Sequence, residues 1–155
     1  FYLKGKKIGT AKTNSKGVAT IKLSAKKLKA AKAGKRSLKI KFAGDANYKA
    51  SSKTVKITIK KEKVKIVAKA KTFKKALKTK KYAVTLKNSK GKALKKMNLT
   101  LKLNGKTYKA KTNSKGKAVF KITKLSKKGT FKGNVSFKAN AYLLKAAKKV
   151  QIKVK

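Results

Sequence analysis

The sequence predicts an all-β protein built from two tandem β-sandwich repeats. The pentapeptide Thr-Asn-Ser-Lys-Gly occurs at 13–17 and again at 112–116, and each copy leads into a short run of alternating apolar residues. Alternation with a period of two indicates strands with one buried face. A second tight-turn signal precedes each copy, Lys-Gly at 4–5 and Asn-Gly at 104–105. Each repeat is therefore expected to contain two consecutive β-hairpins.

The two copies also end alike. The residues that match near their ends are Phe42 with Phe137, Asn47 with Asn140, Tyr48 with Tyr142, and the alternating runs 53–59 with 149–154. The offset between the copies falls from 99 residues at the turns to 95 at the closing strands, which one change of loop length explains. A period near 95 residues is the size of an immunoglobulin-like sandwich.

The second repeat, 61–155, is predicted to be a complete immunoglobulin-like domain of about seven strands. The strands are expected at 64–69, 82–87, 99–103, 107–111, 118–122, 134–138 and 149–154. Their inward side chains are expected to be Val64, Ile66, Val84, Leu86, Leu99, Leu101, Leu103, Tyr108, Val119, Ile122, Val135, Phe137, Val150, Ile152 and Val154. Across both repeats, the glycines predicted to define turns are Gly5, Gly17, Gly91, Gly105 and Gly116.

The first repeat, 1–60, is predicted to be an incomplete domain of the same kind. Phe1 aligns with Thr100, so this repeat lacks residues that match 64–99, and about five strands of seven remain, including one at 18–23. Natural sheets avoid leaving an apolar face and an edge open to water. Either an upstream segment of the chain or a strand from a neighbouring subunit is expected to complete it. The Ala- and Lys-rich stretch 25–36 is interpreted as a connection.

Positive charge dominates the composition. The chain carries 50 lysines and arginines against two acids, Asp45 and Glu62, and has a net charge of +48. All of the basic residues except Arg36 are lysine. The alternating strands are expected to place most lysines outward, where like charges discourage edge-to-edge association. No apolar run approaches the length of a membrane span, so no transmembrane segment is predicted.

The chain lacks the side chains on which most enzymatic catalysis depends. It contains no histidine and no cysteine, and it has two carboxylates in its whole length. A general base, an activated thiol and a calcium site with several carboxylate ligands are therefore not expected. The prediction is a protein that is not an enzyme and that holds no cofactor or metal. Asp45 is interpreted as a turn residue whose side chain accepts backbone hydrogen bonds.

Two Asn-x-Ser/Thr sequons, at Asn98 and Asn134, are candidate sites of N-glycosylation. Both asparagines are expected to stand at the starts of strands. An outward asparagine at such a position would be able to carry a glycan.

The heptapeptide Phe-Ala-Gly-Asp-Ala-Asn-Tyr at 42–48, together with the repeated Thr-Asn-Ser-Lys-Gly turn, resembles the bacterial Ig-like (Big-type) repeats. The lysine-rich version is similar to the tandem repeats of adhesin-like surface proteins of methanogenic archaea. This resemblance covers essentially the whole chain and implies a stalk or adhesive module at the extracellular cell surface, with no catalytic residues. The second repeat departs from the heptapeptide, reading Lys-Ala-Asn-Ala-Tyr at 138–142, so no role of Asp45 is expected to be shared.

Three functions are compatible with these patterns. The leading expectation is a non-catalytic structural and adhesion protein whose lysine surface binds anionic cell-wall or host-surface polymers by a multivalent, salt-sensitive attraction. The second is a subunit of an extracellular filament, completed by a strand from a neighbouring chain. The third is a non-specific nucleic-acid-binding protein. Specific recognition of nucleic acid is not expected, because Arg36 is the only arginine and exposed aromatic residues do not cluster.

Overall fold

The computed structural model describes residues 1–23 and 32–155, and these residues form an all-β structure, which confirms the predicted fold class. Residues 24–31, which hold most of the predicted connection at 25–36, lie outside the described residues. A strand already begins at Gly34, before the predicted connection ends. The described part of the chain contains no helix long and apolar enough to cross a membrane. The chain divides into two compact units, Phe1–Lys61 and Glu62–Lys155.

The first unit contains one antiparallel sheet among its described residues. Its strands are β1 (Tyr2–Leu3), β2 (Lys6–Lys7), β3 (Gly34–Phe42) and β4 (Ser51–Ile59), in the spatial order β2-β1-β3-β4. The strand predicted at 18–23 is wrong, since these residues contribute only an isolated bridge between Thr13 and Ala19. In the second unit the matching strand, Lys117–Ile122, pairs with the strand Lys80–Asn88, and the described residues of the first unit contain no strand that corresponds to Lys80–Asn88.

One face of this first sheet is apolar and only partly covered. Leu3 and Ile8 are buried. The apolar residues of β3 and β4 that pack against them stay partly exposed: Leu38, Ile57 and Ile59. The exposed fraction of Phe42 is 44%, whereas Phe137, its match in the second unit, is 5% exposed. Completion of the first unit by another segment remains a prediction.

The second unit is a sandwich of two sheets. Its strands are β5 (Val64–Val67), β6 (Lys71–Phe73), β7 (Lys80–Asn88), β8 (Asn98–Leu103), β9 (Lys106–Lys111), β10 (Lys117–Ile122), β11 (Gly129–Phe137) and β12 (Ala146–Val154). The three-stranded sheet has the order β10-β7-β5, and the five-stranded sheet has the order β6-β12-β11-β8-β9. Only β6 and β12 pair in parallel. These orders correspond to strands E-B-A and A′-G-F-C-C′ in an immunoglobulin-like sandwich. All seven predicted strands are present, and β6 is additional.

The core of the second unit lies between its two sheets. The predicted inward residues are buried in this core or pack against it, with the exception of Val119, which is 40% exposed. The prediction for Val119 is wrong because a period of two cannot place Val119 and Ile122 on the same face. The buried face of β10 instead carries Ala118, Phe120 and Ile122.

Tyr82 is hydrogen-bonded to the segment in which the chain passes from the three-stranded sheet to the five-stranded sheet. β5 belongs to the three-stranded sheet and β6 to the five-stranded sheet, and Lys69 lies between them. The Tyr82 side chain is 1% exposed, and its hydroxyl donates a hydrogen bond of 2.7 Å to the carbonyl oxygen of Lys69. Burial raises the pKa of the Tyr82 hydroxyl above its ordinary value. The hydroxyl therefore stays in the protonated form that donates this bond.

Three four-residue turns share the sequence Asn-Ser-Lys-Gly and one set of hydrogen bonds. They occupy 14–17, 88–91 and 113–116. In each turn the asparagine Oδ1 accepts hydrogen bonds of 2.8–3.1 Å from the backbone N–H groups two and four residues later. The glycine N–H donates to the asparagine carbonyl oxygen at 2.9–3.0 Å. The repeated pentapeptide thus contains a turn stabilised by its own asparagine side chain.

Gly116 combines a left-handed backbone with a close approach to β7. Its φ is 71°, and its carbonyl oxygen accepts a hydrogen bond of 2.9 Å from the Leu86 N–H. A Cβ at this position would lie 2.8 Å from the Leu86 carbonyl oxygen and 3.0 Å from the Ala93 Cβ. Gly91 has a φ of 76°, and a Cβ added there would have no neighbouring atom within 4 Å. Backbone conformation alone constrains Gly91, while packing also constrains Gly116.

Gly116→Ala should destabilise the second unit more than Gly91→Ala. Both substitutions place a Cβ on a left-handed backbone, at a cost of about 1 kcal/mol. At Gly116 the new methyl group also meets the Leu86 carbonyl oxygen, which adds about 1–3 kcal/mol. Urea unfolding of both variants and the wild type measures the two losses. Equal losses would show that the close approach to β7 does not constrain this turn.

Tyr82→Phe should lower stability by about 1 kcal/mol near neutral pH, because it removes the hydrogen bond to Lys69. The folded-state pKa of Tyr82 is raised. Its contribution to stability is therefore fully present below about pH 10 and is lost as the pH rises through the folded-state pKa. The difference in unfolding free energy between wild type and variant should shrink from about pH 8 to about pH 11.

Taking this difference cancels the titration of the lysines, which both proteins share. Tyr48→Phe is the matched control, because Tyr48 is 69% exposed and should give a difference near zero at both pH values. A Tyr82→Phe difference that is constant with pH would contradict the account of the buried hydroxyl.

Candidate functional site

The lysines form the outer layer of both units. Every lysine in the described residues is exposed apart from Lys80. Lys80 is 2% exposed, and its Nζ donates hydrogen bonds to the carbonyl oxygens of Leu77 at 2.7 Å and Lys75 at 3.4 Å. The other described lysines carry their charge in water, where an anionic ligand can reach it.

The two carboxylates accept hydrogen bonds within their own units. Asp45 Oδ1 accepts from the backbone N–H groups of Asn47 at 3.0 Å and Tyr48 at 2.8 Å. Glu62 Oε1 accepts from the Ser89 hydroxyl at 3.0 Å. Within residues 1–23 and 32–155, no three His, Cys, Asp or Glu side chains are grouped so as to hold a metal ion. The charged groups that the described surface offers a ligand are therefore almost all positive.

Asp45 has a counterpart in the second unit. Asn140 Oδ1 accepts hydrogen bonds from the backbone N–H groups two and three residues later, at 2.9 and 2.8 Å, as Asp45 Oδ1 does. The expectation that no role of Asp45 is shared is therefore wrong. Asn140 therefore corresponds to Asp45, two residues before the predicted match, Asn47. The two can differ in sequence because the turn requires a side-chain oxygen acceptor, which either Asp or Asn supplies.

The outer face of the five-stranded sheet is a regular part of the lysine surface. Its outward residues on four strands are Asn98, Thr100 and Lys102 of β8, Thr107, Lys109 and Lys111 of β9, Thr130, Lys132, Asn134 and Ser136 of β11, and Ala147, Lys149, Gln151 and Lys153 of β12. A depression of about 1370 Å³ lies at the end of the sheet where these strands carry Asn98, Ser136 and Ala147. Lys109, Lys138 and Lys145 also line it.

Both sequon asparagines are exposed and belong to this face. Asn98 begins β8, while Asn134 lies inside β11, opposite Lys102 and Lys149. The prediction that Asn134 stands at a strand start is wrong, because β11 begins at Gly129 and its first residues pair with β12. Glycosylation of either asparagine remains a prediction.

The glycines assigned to turns share one backbone conformation. Their φ angles lie between 69° and 76° and belong to Gly5, Gly17, Gly91, Gly105 and Gly116. In the two-residue turns at 4–5 and 104–105 the preceding residue is also left-handed, with φ of 50° at Lys4 and 47° at Asn104. Positive φ at both central residues is typical of a type I′ hairpin.

Sequence reasoning places the lysines outward but does not show which of them are neighbours. Alternation along one strand gives the face on which a side chain lies. The neighbours across the sheet depend on register, which is set by pairing between distant segments such as β8 and β11. The grouping of lysines with Thr, Ser, Asn and Gln on one sheet face appears only in the folded structure.

No protein-family model matches the chain, and no curated protein matches it. Two solved structures similar to it are bacterial adhesins. One, from an Antarctic bacterium, is described as a Ca²⁺-stabilized adhesin that helps the bacterium reach out and bind ice. It is 14% identical, with a TM-score of 0.36, and the match covers 84% of this chain and 34% of the adhesin chain.

The other is a 1.5-MDa bacterial ice-binding adhesin, described in connection with host cell surface retention. It is 13% identical, with a TM-score of 0.36, and the match covers 83% of this chain and 44% of the adhesin chain. This chain therefore spans less than half the length of either structure. A likeness this weak carries no argument about the fold or the function of this chain.

Proposed function

We propose that this chain is a non-catalytic structural and adhesion module of the extracellular cell surface, and that its cationic surface binds anionic polymers of a cell wall or a host surface. The lysine layer is the observation that supports the proposal. The chain has 50 basic residues and only two acidic ones, and every described lysine except Lys80 is exposed. A net charge of +48 is far above the magnitude of about 2–8 that suits a small soluble domain. This excess of positive charge favours a ligand that carries many negative charges.

Attraction of this kind is multivalent. A single exposed ion pair contributes roughly 0–1 kcal/mol, which is too little to hold a ligand alone. Many lysines acting on one polymer raise the effective concentration of each further contact, so the avidity exceeds any single affinity. Lysine presents a flexible point charge with no fixed planar geometry. The surface is therefore suited to select ligands by charge density.

A second candidate function, a subunit of an extracellular filament, is favoured by the partly covered apolar face of the first unit. Phe42 is 44% exposed on this sheet. Among the described residues, 18–23 also have no strand partner equivalent to the one that β10 has in β7 of the second unit. A strand donated by a neighbouring chain would supply both the pairing and the cover.

Binding of nucleic acid is expected only as a consequence of charge. Polyphosphate backbones attract any strongly basic surface without regard to sequence. Base recognition usually relies on arginine and on exposed aromatic side chains. Arg36 is the only arginine in the chain.

Affinity for heparin, an anionic cell-wall polymer and duplex DNA should follow the charge density of the ligand and fall steeply as salt increases. For the duplex, log affinity should decline with log salt by about 0.9 for each phosphate neutralised. Competition binding of the three polymers at low and at physiological salt measures both effects. A preference for DNA over an equally charged polysaccharide that persists at the higher salt would contradict the adhesion proposal.

A further inference from the structure

Lysines on the outer face of the five-stranded sheet are never directly opposite one another in the described pairs of β8, β9, β11 and β12. Each lysine instead faces a neutral side chain that has a hydroxyl or an amide group. These pairs are Asn98–Lys111, Thr100–Lys109, Lys102–Thr107, Lys102–Asn134, Thr130–Lys153, Lys132–Gln151 and Asn134–Lys149. The remaining outward pairs, Thr100–Ser136 and Ser136–Ala147, contain no lysine.

The first unit has the same pattern on the outer face of its sheet. The outward pairs of β3 and β4 are Lys35–Thr58, Ser37–Lys56, Lys39–Thr54 and Lys41–Ser52. All of these residues are exposed, while the alternate residues on the other face are mostly apolar. A lysine beside a hydroxyl group therefore recurs on the equivalent sheet of both units.

The three-stranded sheet of the second unit follows this pattern in one outward pair, Lys117–Thr85, but not in its other lysine pairs. Lys65 lies directly opposite Lys87, and Lys81 lies directly opposite Lys121. Its outer face also carries Val119, which is 40% exposed. Like charges directly opposite one another are destabilising, so selection for stability alone would remove such pairs from both faces. Because directly opposed lysines occur on the three-stranded sheet, stability alone does not explain their absence from the outer face of the five-stranded sheet.

We propose that the outer face of the five-stranded sheet binds an acidic polysaccharide, and that its counterpart in the first unit does so separately, an inference that rests on the proposed function. The ammonium groups bind the sulfate or carboxylate groups of the polymer. The neighbouring hydroxyl and amide side chains exchange hydrogen bonds with the sugar hydroxyls, because they act both as donors and as acceptors. A pure lysine surface would supply only the first of these contacts.

The spacing of the lysines suits an extended polymer. Neighbouring strands lie about 4.8 Å apart, and successive outward residues on one strand lie about 6.8 Å apart. Diagonal neighbours such as Lys132 and Lys149 are therefore separated by about 8 Å at their Cα atoms. Long and flexible lysine side chains adjust this spacing, so charges on successive sugars can each meet an ammonium group.

Nucleic acid fits the outer face of the five-stranded sheet less well. None of the outward residues of β8, β9, β11 and β12 is aromatic or arginine. This face therefore has no aromatic ring on which an unpaired base can stack, and no guanidinium group that can bind two oxygens of one phosphate. The hydroxyl and amide partners of the lysines match the many hydroxyl groups of a polysaccharide instead.

The test compares two variants of the full chain that lose the same charge. One variant removes lysines from the proposed face through Lys102→Gln, Lys109→Gln, Lys132→Gln and Lys149→Gln. The matched control removes lysines from the outer face of the three-stranded sheet through Lys65→Gln, Lys81→Gln, Lys87→Gln and Lys121→Gln. All of these lysines are exposed. Heparin binding is measured at low and at physiological salt, and thermal unfolding confirms that both variants fold.

The variant of the proposed face should bind heparin about tenfold more weakly or worse, since exposed ion pairs contribute up to a few-fold each. The control should lose less than about threefold, through the long-range effect of net charge alone. Equal losses would overturn the assignment to this face and leave the proposed function standing. Absence of salt-sensitive heparin binding by the wild type would overturn the proposed function itself.

A third variant tests the neutral partners without changing the charge. Thr100→Val together with Thr107→Val removes two hydroxyl groups beside Lys109 and Lys102. Binding of heparin should weaken more than binding of inorganic polyphosphate, because polyphosphate has no sugar hydroxyls to bond. An equal effect on both polymers would contradict the role of the hydroxyl groups.

Discussion

Repulsion between lysines is the constraint on which the rest of this structure depends. Two carboxylates cannot neutralise 50 basic residues, so the fold must give nearly every lysine a position in water. A strand with one buried face does this at every second residue. β10 is an example, with Lys117 and Lys121 exposed and Phe120 buried. Lys80, the described exception, is buried only where backbone carbonyl oxygens accept its hydrogen bonds.

Core burial offsets this repulsion unequally in the two units. In the second unit, Ile152 and Val154 are 0% and 2% exposed. Ile57 and Ile59, which occupy the matching strand of the first unit, are only partly buried. Similar apolar sequences therefore form a closed core only where a second sheet covers them. Because burial supplies most of the stabilising free energy, the first unit has the smaller margin against charge repulsion.

Features set by local sequence could be predicted, and features set by contacts between distant segments could not. The Asn-Ser-Lys-Gly turns are local, and their prediction needed no knowledge of neighbours. Alternation predicted the strands of the second unit, but the alternating run at 18–23 forms only an isolated bridge, because a strand also needs a partner. β6 has three residues, too few to show alternation, and it forms because it pairs with β12. Val119 and Phe120 are both apolar, so the sequence alone does not show which of them points into the core. Packing buries Phe120 and leaves Val119 exposed. The lysine–hydroxyl pairs of the candidate site likewise depend on strand register.

Thermal unfolding of the full chain as a function of salt tests the central claim most directly, namely that repulsion among exposed lysines limits stability. Raising the ionic strength from about 0.01 M to about 0.15 M shortens the Debye length from roughly 30 Å to roughly 8 Å, so most of this repulsion is screened. The account predicts that the unfolding midpoint rises over this range. A midpoint that is unchanged or that falls would contradict it.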